Sequence, residues 1–178
     1  SDSKHTEVSN SLKREFNFAK QVHSNKDKKT GKDKFFVTKD DIDFIVFATL
    51  SPDYYFPGPG VMVQEQLEIK EVGALDVRNQ CSGFVYSLSV ADQFIRSGMY
   101  KNILVIGSEL HSGGLDKSTQ GRGVTVIFGD GAGAVVLQAT QEENKGVLST
   151  HLHSEGKHAK ELALLGPNTA HWVDKLIE

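Results

Sequence analysis

Residues 74–97 read ALDVRNQCSGFVYSLSVADQFIRS, and this stretch decides the fold. Its first five residues, 74–78, predict a buried strand. Residues 82–97 repeat apolar side chains at three- and four-residue steps with Gly98 just past the end, which predicts a helix. The chain's single cysteine, Cys81, stands between the two. A strand, a sharp turn and a helix present a reactive atom at a sheet edge, as the serine elbow of hydrolases does, so Cys81 is a candidate nucleophile.

The position of Cys81 supports two interpretations. At a helix start, unpaired backbone N–H groups and the helix macrodipole favour negative charge, and therefore the nucleophilic thiolate. A lone cysteine can also be a small buried hydrophobic residue. Position alone leaves both interpretations open.

The sequence around this stretch alternates strands with helices. Apolar runs predict strands at residues 42–49, 103–108, 124–128 and 134–138, with a further one at 146–151. An apolar stripe predicts a helix at 6–24, and after the Pro- and Gly-rich break at 56–60 we expect a short helix at 61–69. From residue 152 we expect a loop and a partial helix. Such alternation predicts a layered α/β fold with a largely parallel sheet.

Composition narrows the class of protein. The chain has 178 residues, of which 38% are apolar and 24% charged, as in a globular domain with a sizeable core. A net charge of −3 does not favour binding to nucleic acid. The lysine-rich run at 26–34 is interrupted by Asp residues, which is typical of a solvated loop. One cysteine allows no internal disulfide, and no apolar stretch suggests a membrane span or signal peptide. We therefore expect a cytoplasmic protein without membrane or nucleic-acid partners.

Several segments in order resemble β-ketoacyl-acyl-carrier-protein synthase III, a family of thiolase-like condensing enzymes. They are residues 43–49 (DFIVFAT), the Phe56-Pro57 pair, residues 76–84 (DVRNQCSGF) with 88–94, residues 103–109 (ILVIGSE) and residues 127–134 (IFGDGAGA). The resemblance implies a thiolase-like layered α/β fold, one half of an αβαβα duplication, with a mostly parallel mixed sheet and a buried nucleophile helix.

The resemblance also implies a division of the chain. Residues 1–40 match the family poorly, residues 41–150 are expected to form the N-terminal half that carries Cys81, and residues 151–178 are expected to lead toward a C-terminal half. That second half supplies the family's catalytic His and Asn. No histidine here stands in a matching context, so none is assigned that role, and the histidines at 151, 153 and 158 meet no metal-ligand spacing.

The activity that the resemblance implies is a decarboxylative Claisen condensation in fatty acid biosynthesis. An acyl-CoA acylates Cys81, and malonyl-acyl-carrier-protein then loses carbon dioxide and attacks the thioester. Acyl-CoA and the phosphopantetheine of the carrier protein are substrates, and no permanently bound cofactor or metal is expected. Three alternatives stay open: a condensing enzyme of secondary metabolism, a thiolase-like enzyme acting on CoA esters alone, and a non-catalytic partner subunit, against which the presence of Cys81 argues.

Two further residues take roles from the resemblance. Arg122 matches a position that contacts the adenine end of CoA, and a solvated loop arginine is the alternative. Phe56 matches a residue that crosses a homodimer interface and closes the partner's acyl pocket, and core packing beside a Pro-Gly turn is the alternative. The resemblance places the dimer interface near the strand after the nucleophile helix, at 103–108, which is expected to extend the sheet across the two-fold axis. We expect residues 129–133 (GDGAG) to form a tight turn between two strands rather than a phosphate loop, because no Lys-Ser/Thr pair follows.

Overall fold

The computed structural model describes residues 24–26, 33–35, 37–141 and 143–163, and divides the chain into two compact units, Ser1–Leu148 and Ser149–Glu178. The helix predicted at 6–24 lies outside the described residues except for its last position. Two short antiparallel strands, β1 (Ser24–Lys26) and β2 (Asp33–Phe35), include the ends of the lysine-rich run. The run predicted as a loop therefore begins and ends in a β-ladder, with Lys26 opposite Asp33.

A four-stranded mixed sheet forms the centre of the first unit, in the order β4-β3-β5-β6. Its strands are β3 (Phe44–Ala48), β4 (Gly73–Val77), β5 (Asn102–Glu109) and β6 (Gly131–Gln138). The strands β4, β3 and β5 are parallel, and β6 is antiparallel to β5. All residues of β3 are buried, as its continuous apolar run predicts for a strand covered on both faces. The four strands confirm the predictions for 42–49, 74–78, 103–108 and 134–138, with small shifts of their ends. The expectation that the strand at 74–78 is buried is wrong, because β4 is an outer strand of the described sheet and its residues are exposed or half-buried.

Among the described residues, one helix packs on each face of this sheet. Helix α1 (Pro59–Gln66) packs with Ile69 on the face that carries Ile45 and Phe47 of β3. Helix α2 (Gly83–Arg96) packs on the other face, which carries Phe44 and Val46. Successive residues of a strand point to opposite faces, so a single apolar strand supplies both cores. The helices predicted at 61–69 and 82–97 are thus confirmed.

Two predicted strands are wrong. Residues 124–128 lie outside the sheet, because β6 already pairs with β5 along its whole length, and a short helix α3 (Arg122–Thr125) forms there instead. Its neighbours Val126 and Ile127 are 72% and 64% exposed. Residues 146–151 form no strand either; the carbonyl of Val147 accepts a hydrogen bond from Arg96 Nη2 (2.9 Å) instead of joining a ladder.

The sheet order corrects two further expectations. Strand β5 is hydrogen-bonded on both edges, so the region 103–108 cannot extend the sheet into a second subunit. Within the described sheet, β4 and β6 are the outer strands. Residues 129–133 are not a turn between two strands, because Gly131 already begins β6. In the described part of the chain, no helix has the length and apolar character needed to cross a bilayer.

Candidate active site

Cys81 lies exposed in the turn between β4 and α2, two residues before the first residue of the helix. It lines a cleft of about 550 Å³ in which the ends of β3 and β5, the start of β6 and the start of α2 meet. The lining residues are Ala48, Gln80, Cys81, Gly83, Phe84, Gly107, Ser108, Glu109 and residues 129–133. A thiol in an open cleft at a helix start agrees with the predicted placement, and the interpretation of Cys81 as a buried hydrophobic residue is wrong.

Small residues allow the start of α2 to lie close to the sheet. A Cβ atom built on Gly83 would stand 3.2 Å from the Cβ of Ala48, and one built on Gly107 would stand 3.1 Å from the ring of Phe84. The turn before the helix is closed by the Gly83 N–H, which donates to the carbonyl of Gln80 (2.9 Å). Close packing against the two strand ends and this hydrogen bond hold Cys81 at the mouth of the cleft.

The cleft wall carries two carboxylates. Glu109 accepts hydrogen bonds from the Leu50 N–H and the Ser51 hydroxyl, both at 2.8 Å. Asp130 accepts the backbone N–H groups of His111 (2.7 Å) and Ser112 (2.8 Å). The hydrogen bonds from Ser112 are the main cause that holds the pKa of Asp130 below its ordinary value. Among the described lining residues, Cys81, Glu109 and Asp130 are the ionisable ones, so the wall is negative.

A histidine lies behind this wall without lining the cleft. His111 Nε2 is 3.5 Å from the carboxylate of Glu109, and its ring packs 5.2 Å from the ring of Phe128. Sequence reasoning missed Glu109 and Asp130 as site residues. The available signal was their position, since Glu109 ends the segment 103–109 and Asp130 lies within the segment 127–134, and both segments resemble the family.

The other predicted site residues lie apart from the cleft lining. Arg122 is exposed at the first position of α3 and is not among the residues that line the Cys81 cleft. Phe56 is 90% exposed in the loop after β3, so its interpretation as core packing is wrong. The histidines at 151, 153 and 158 are exposed, and within the described residues no group of His, Cys, Asp and Glu is arranged to hold a metal ion.

The comparison with solved structures gives the class of fold first, which is the thiolase-like layered α/β fold. A solved 3-oxoacyl-[acyl-carrier-protein] synthase III from Aquifex aeolicus is 45% identical, with a TM-score of 0.57 over 60% of this chain and 34% of that one. The corresponding structure from Thermus thermophilus is 32% identical and gives a TM-score of 0.64 over 73% of this chain and 40% of that one.

Sequence comparison then identifies the related family. Residues 75–156 match the family model of 3-oxoacyl-[acyl-carrier-protein] synthase III. The β-ketoacyl-[acyl-carrier-protein] synthase III of Yersinia enterocolitica is 46% identical over 135 residues, which are 76% of this chain and 41% of the relative. By these matches the chain is similar to the N-terminal part of the β-ketoacyl-acyl-carrier-protein synthase III family, and it spans about two fifths of the length of this relative.

Proposed function

We propose that this chain carries the acyl-accepting part of a condensing acyltransferase of fatty acid biosynthesis, with Cys81 as the nucleophile. The observation that carries the proposal is the exposed thiol at the start of α2, in a cleft at the ends of three neighbouring strands. The similarity to the synthase III relatives and the family-model match across residues 75–156, which include Cys81, support it.

In the first step, the Cys81 thiolate attacks the carbonyl carbon of an acyl-CoA. The carbonyl electron pair moves to the oxygen, which becomes a tetrahedral oxyanion, and its collapse breaks the C–S bond to CoA. The products are an acyl thioester on Cys81 and the CoA thiolate, which takes up a proton. A thiolate suits this exchange because it is both a good nucleophile and a good leaving group. The backbone N–H of Cys81 is a candidate donor to the oxyanion.

In the second step, malonyl-acyl-carrier-protein loses carbon dioxide, and the resulting carbanion attacks the acyl thioester and releases Cys81. Decarboxylation builds negative charge on the malonyl thioester oxygen, so it needs hydrogen-bond donors there. The carboxylates of Glu109 and Asp130 are acceptors when ionised and do not provide such donors. We propose that the family's His and Asn act in this step from beyond the residues described here.

The proposed partners follow from the same family similarity. Arg122 is proposed to bind the nucleotide of CoA, since a guanidinium stacks on planar rings and pairs with phosphate. We propose a homodimer that extends the sheet through the outer strand β4, where Leu75 is 37% exposed, and in which Phe56 reaches the partner's acyl pocket. No permanently bound cofactor is proposed, and the cytoplasm is the proposed location.

The test is the covalent intermediate. The protein is incubated with acetyl-CoA and with longer acyl-CoAs, and the intact mass is measured for wild type, Cys81→Ala and the matched surface control Ser97→Ala. Wild type and the control should gain the mass of one acyl group, and Cys81→Ala should gain none. Adding malonyl-acyl-carrier-protein to the complete protein should then release carbon dioxide and remove the acyl group.

Two results would contradict the proposal. Acylation of Cys81→Ala at the wild-type rate would place the nucleophile elsewhere. A wild-type protein that forms no acyl thioester with any CoA ester, although iodoacetamide alkylates Cys81, would favour the non-catalytic subunit.

A further inference from the structure

The loop that leaves β3 carries a run of exposed aromatic side chains. Tyr54, Tyr55 and Phe56 are 48%, 72% and 90% exposed. The loop leaves the sheet after Ala48, the last residue of β3, and ends where α1 begins at Pro59. Three exposed aromatic residues in succession form an apolar surface that needs a fixed backbone to be presented in one orientation.

Hydrogen bonds to the end of β5 hold the N-terminal end of this loop. Glu109, the last residue of β5, accepts the Leu50 N–H and the Ser51 hydroxyl, both at 2.8 Å. The Ser51 oxygen in turn accepts the N–H of Leu110 (2.8 Å), so the loop and the end of β5 are joined in both directions. Hydrogen bonds to an ionised carboxylate are stronger than those between neutral groups.

A hydrogen bond to a carboxylate of β4 holds the C-terminal end of the loop in the same way. Asp76 Oδ1 accepts the N–H of Gly60 (2.8 Å), which belongs to the first turn of α1 and has no partner within the helix. A Cβ atom built on Gly58, where φ is +104°, would overlap Asp76 Oδ2, so this carboxylate lies directly against the loop backbone. The residue as a whole is exposed, but partial burial of the carboxyl group raises its pKa, against the opposing effect of the Gly60 N–H.

The topology explains why both carboxylates reach one loop. Strands β4 and β5 flank β3 and run parallel to it, so all three end at the same edge of the sheet. Asp76 is the penultimate residue of β4, and Glu109 is the last residue of β5. One side chain from each of the two neighbouring strands, β4 and β5, therefore holds one end of the loop that follows β3.

We propose that Asp76 and Glu109 are positioning residues that hold the aromatic loop at its two ends, and that they thereby set acyl-chain selectivity through Phe56. The inference rests on the proposed function, in which Phe56 closes an acyl pocket across a dimer. Neither carboxylate needs to touch the acyl chain. Glu109 also lines the Cys81 cleft, so Asp76 gives the cleaner test.

The experiment uses the complete protein that carries this sequence, in wild type and three variants. Asp76→Ala removes the acceptor, whereas Asp76→Asn keeps a side-chain carbonyl for the Gly60 N–H. Asp41→Ala is the matched control, because Asp41 accepts the Thr38 N–H (2.8 Å) at the opposite end of β3. Two quantities are measured: amide hydrogen exchange across residues 50–60, and the ratio of kcat/KM for acetyl-CoA to that for octanoyl-CoA. Iodoacetamide alkylation of Cys81 shows whether the nucleophile is unchanged.

In Asp76→Ala we expect amide hydrogen exchange across the loop to rise about tenfold and the ratio of the two kcat/KM values to change about tenfold. A change of this size is expected when one hydrogen bond to a carboxylate is lost. Asp76→Asn should keep the loop exchange and the kcat/KM ratio near their wild-type values, and Asp41→Ala should change neither quantity. The rate of Cys81 alkylation should be the same in wild type and in all three variants. Unchanged loop exchange in Asp76→Ala would overturn the inference, and so would increased exchange with an unchanged ratio.

A Phe56→Ala variant separates this inference from the proposed function. If Phe56→Ala leaves the selectivity ratio at the wild-type value, the proposed role of Phe56 fails, and the selectivity part of the inference falls with it. If Phe56→Ala shifts the ratio while Asp76→Ala does not, the proposed function stands and only the positioning role is overturned. An Asp76→Ala protein that does not fold is replaced by Asp76→Ser, whose shorter side chain does not span the same distance.

Discussion

Replacing Gly107 with alanine should slow acyl transfer to Cys81 in a protein that stays folded. Gly107 lies in β5 beneath the first turn of α2. The new Cβ atom would stand 3.1 Å from Cδ2 of Phe84, whereas carbon atoms pack best at about 3.5–4.0 Å. The ring of Phe84 must therefore retreat by roughly 0.4 Å or more, and Phe84 stands only three residues after Cys81.

The displacement of the Phe84 ring should change both the free energy of unfolding and the rate of acylation. Overpacking a core site costs about 1–3 kcal/mol, and removing a strand glycine returns about 0.5–1 kcal/mol, so the free energy of unfolding should fall by about 1–2 kcal/mol. Misplacing a reacting group by about 1 Å can cost about a hundredfold in rate, so a shift near half that size should cost about tenfold.

The assay follows acylation of Cys81 by intact mass under saturating acyl-CoA, with urea unfolding in parallel. Gly107→Ala should acylate about tenfold more slowly while it stays folded, and its alkylation by iodoacetamide should change little, because that small reagent needs no positioned carbonyl. The double variant Gly107→Ala/Phe84→Leu should recover most of the rate. Gly156→Ala is the matched control, since nothing lies within 4 Å of a Cβ built there. Wild-type acylation by a folded Gly107→Ala protein, or no recovery in the double variant, would refute the packing argument.

Three further outcomes are expected. Ser87→Ala should leave the free energy of unfolding unchanged or raise it by up to about 1 kcal/mol in urea titrations, because the buried Ser87 hydroxyl has no hydrogen-bond partner among the described residues; a loss above that size would show an unrecognised partner. For Asp130 the pKa is lowered in the folded state, so its stabilising effect is present above the ordinary value of 3.8 and is lost as pH falls through the folded pKa. Asp130→Asn should therefore lose less stability than wild type between pH 5 and pH 2 in denaturant titrations, and parallel curves would contradict this. Arg122→Ala should raise the KM for acyl-CoA without slowing acylation by a small thioester that lacks the nucleotide, whereas equal losses would indicate a structural role.

The elements around Cys81 were predictable because each carries a strong local signal. The continuous apolar run of β3, the apolar stripe of α2 and Gly98 after it are local patterns, and local patterns also placed the cysteine between strand and helix. The residues 124–128, VTVIF, favour a strand by propensity as much as β5 does. They form a short helix followed by exposed residues, because β6 pairs with the edge of β5. Which segment pairs with β5 depends on residues elsewhere in the chain, so it cannot be predicted from 124–128 alone.

The carboxylates of the site were less predictable for a related reason. Glu109 and Leu50 are 59 residues apart in the sequence, and Asp76 and Gly60 are 16 residues apart. Their hydrogen bonds exist only because β4 and β5 both run parallel to β3 and end at its side. A sequence pattern can place a carboxylate at the end of a strand, but the backbone groups that it holds depend on the order of strands in the sheet.

The same order of strands explains why small residues gather beneath the cleft. Ala48, Gly107 and Gly133 stand in register on the neighbouring strands β3, β5 and β6. Each glycine in a strand costs about 0.5–1 kcal/mol relative to alanine, so this row is unfavourable for the sheet itself. At Gly107 the missing side chain admits Phe84 and the start of α2, and at Gly133 nothing lies within 4 Å of a built Cβ. One glycine thus lets the nucleophile helix approach and the other leaves open space beside it, and a cysteine at that helix start faces a cleft instead of a packed core.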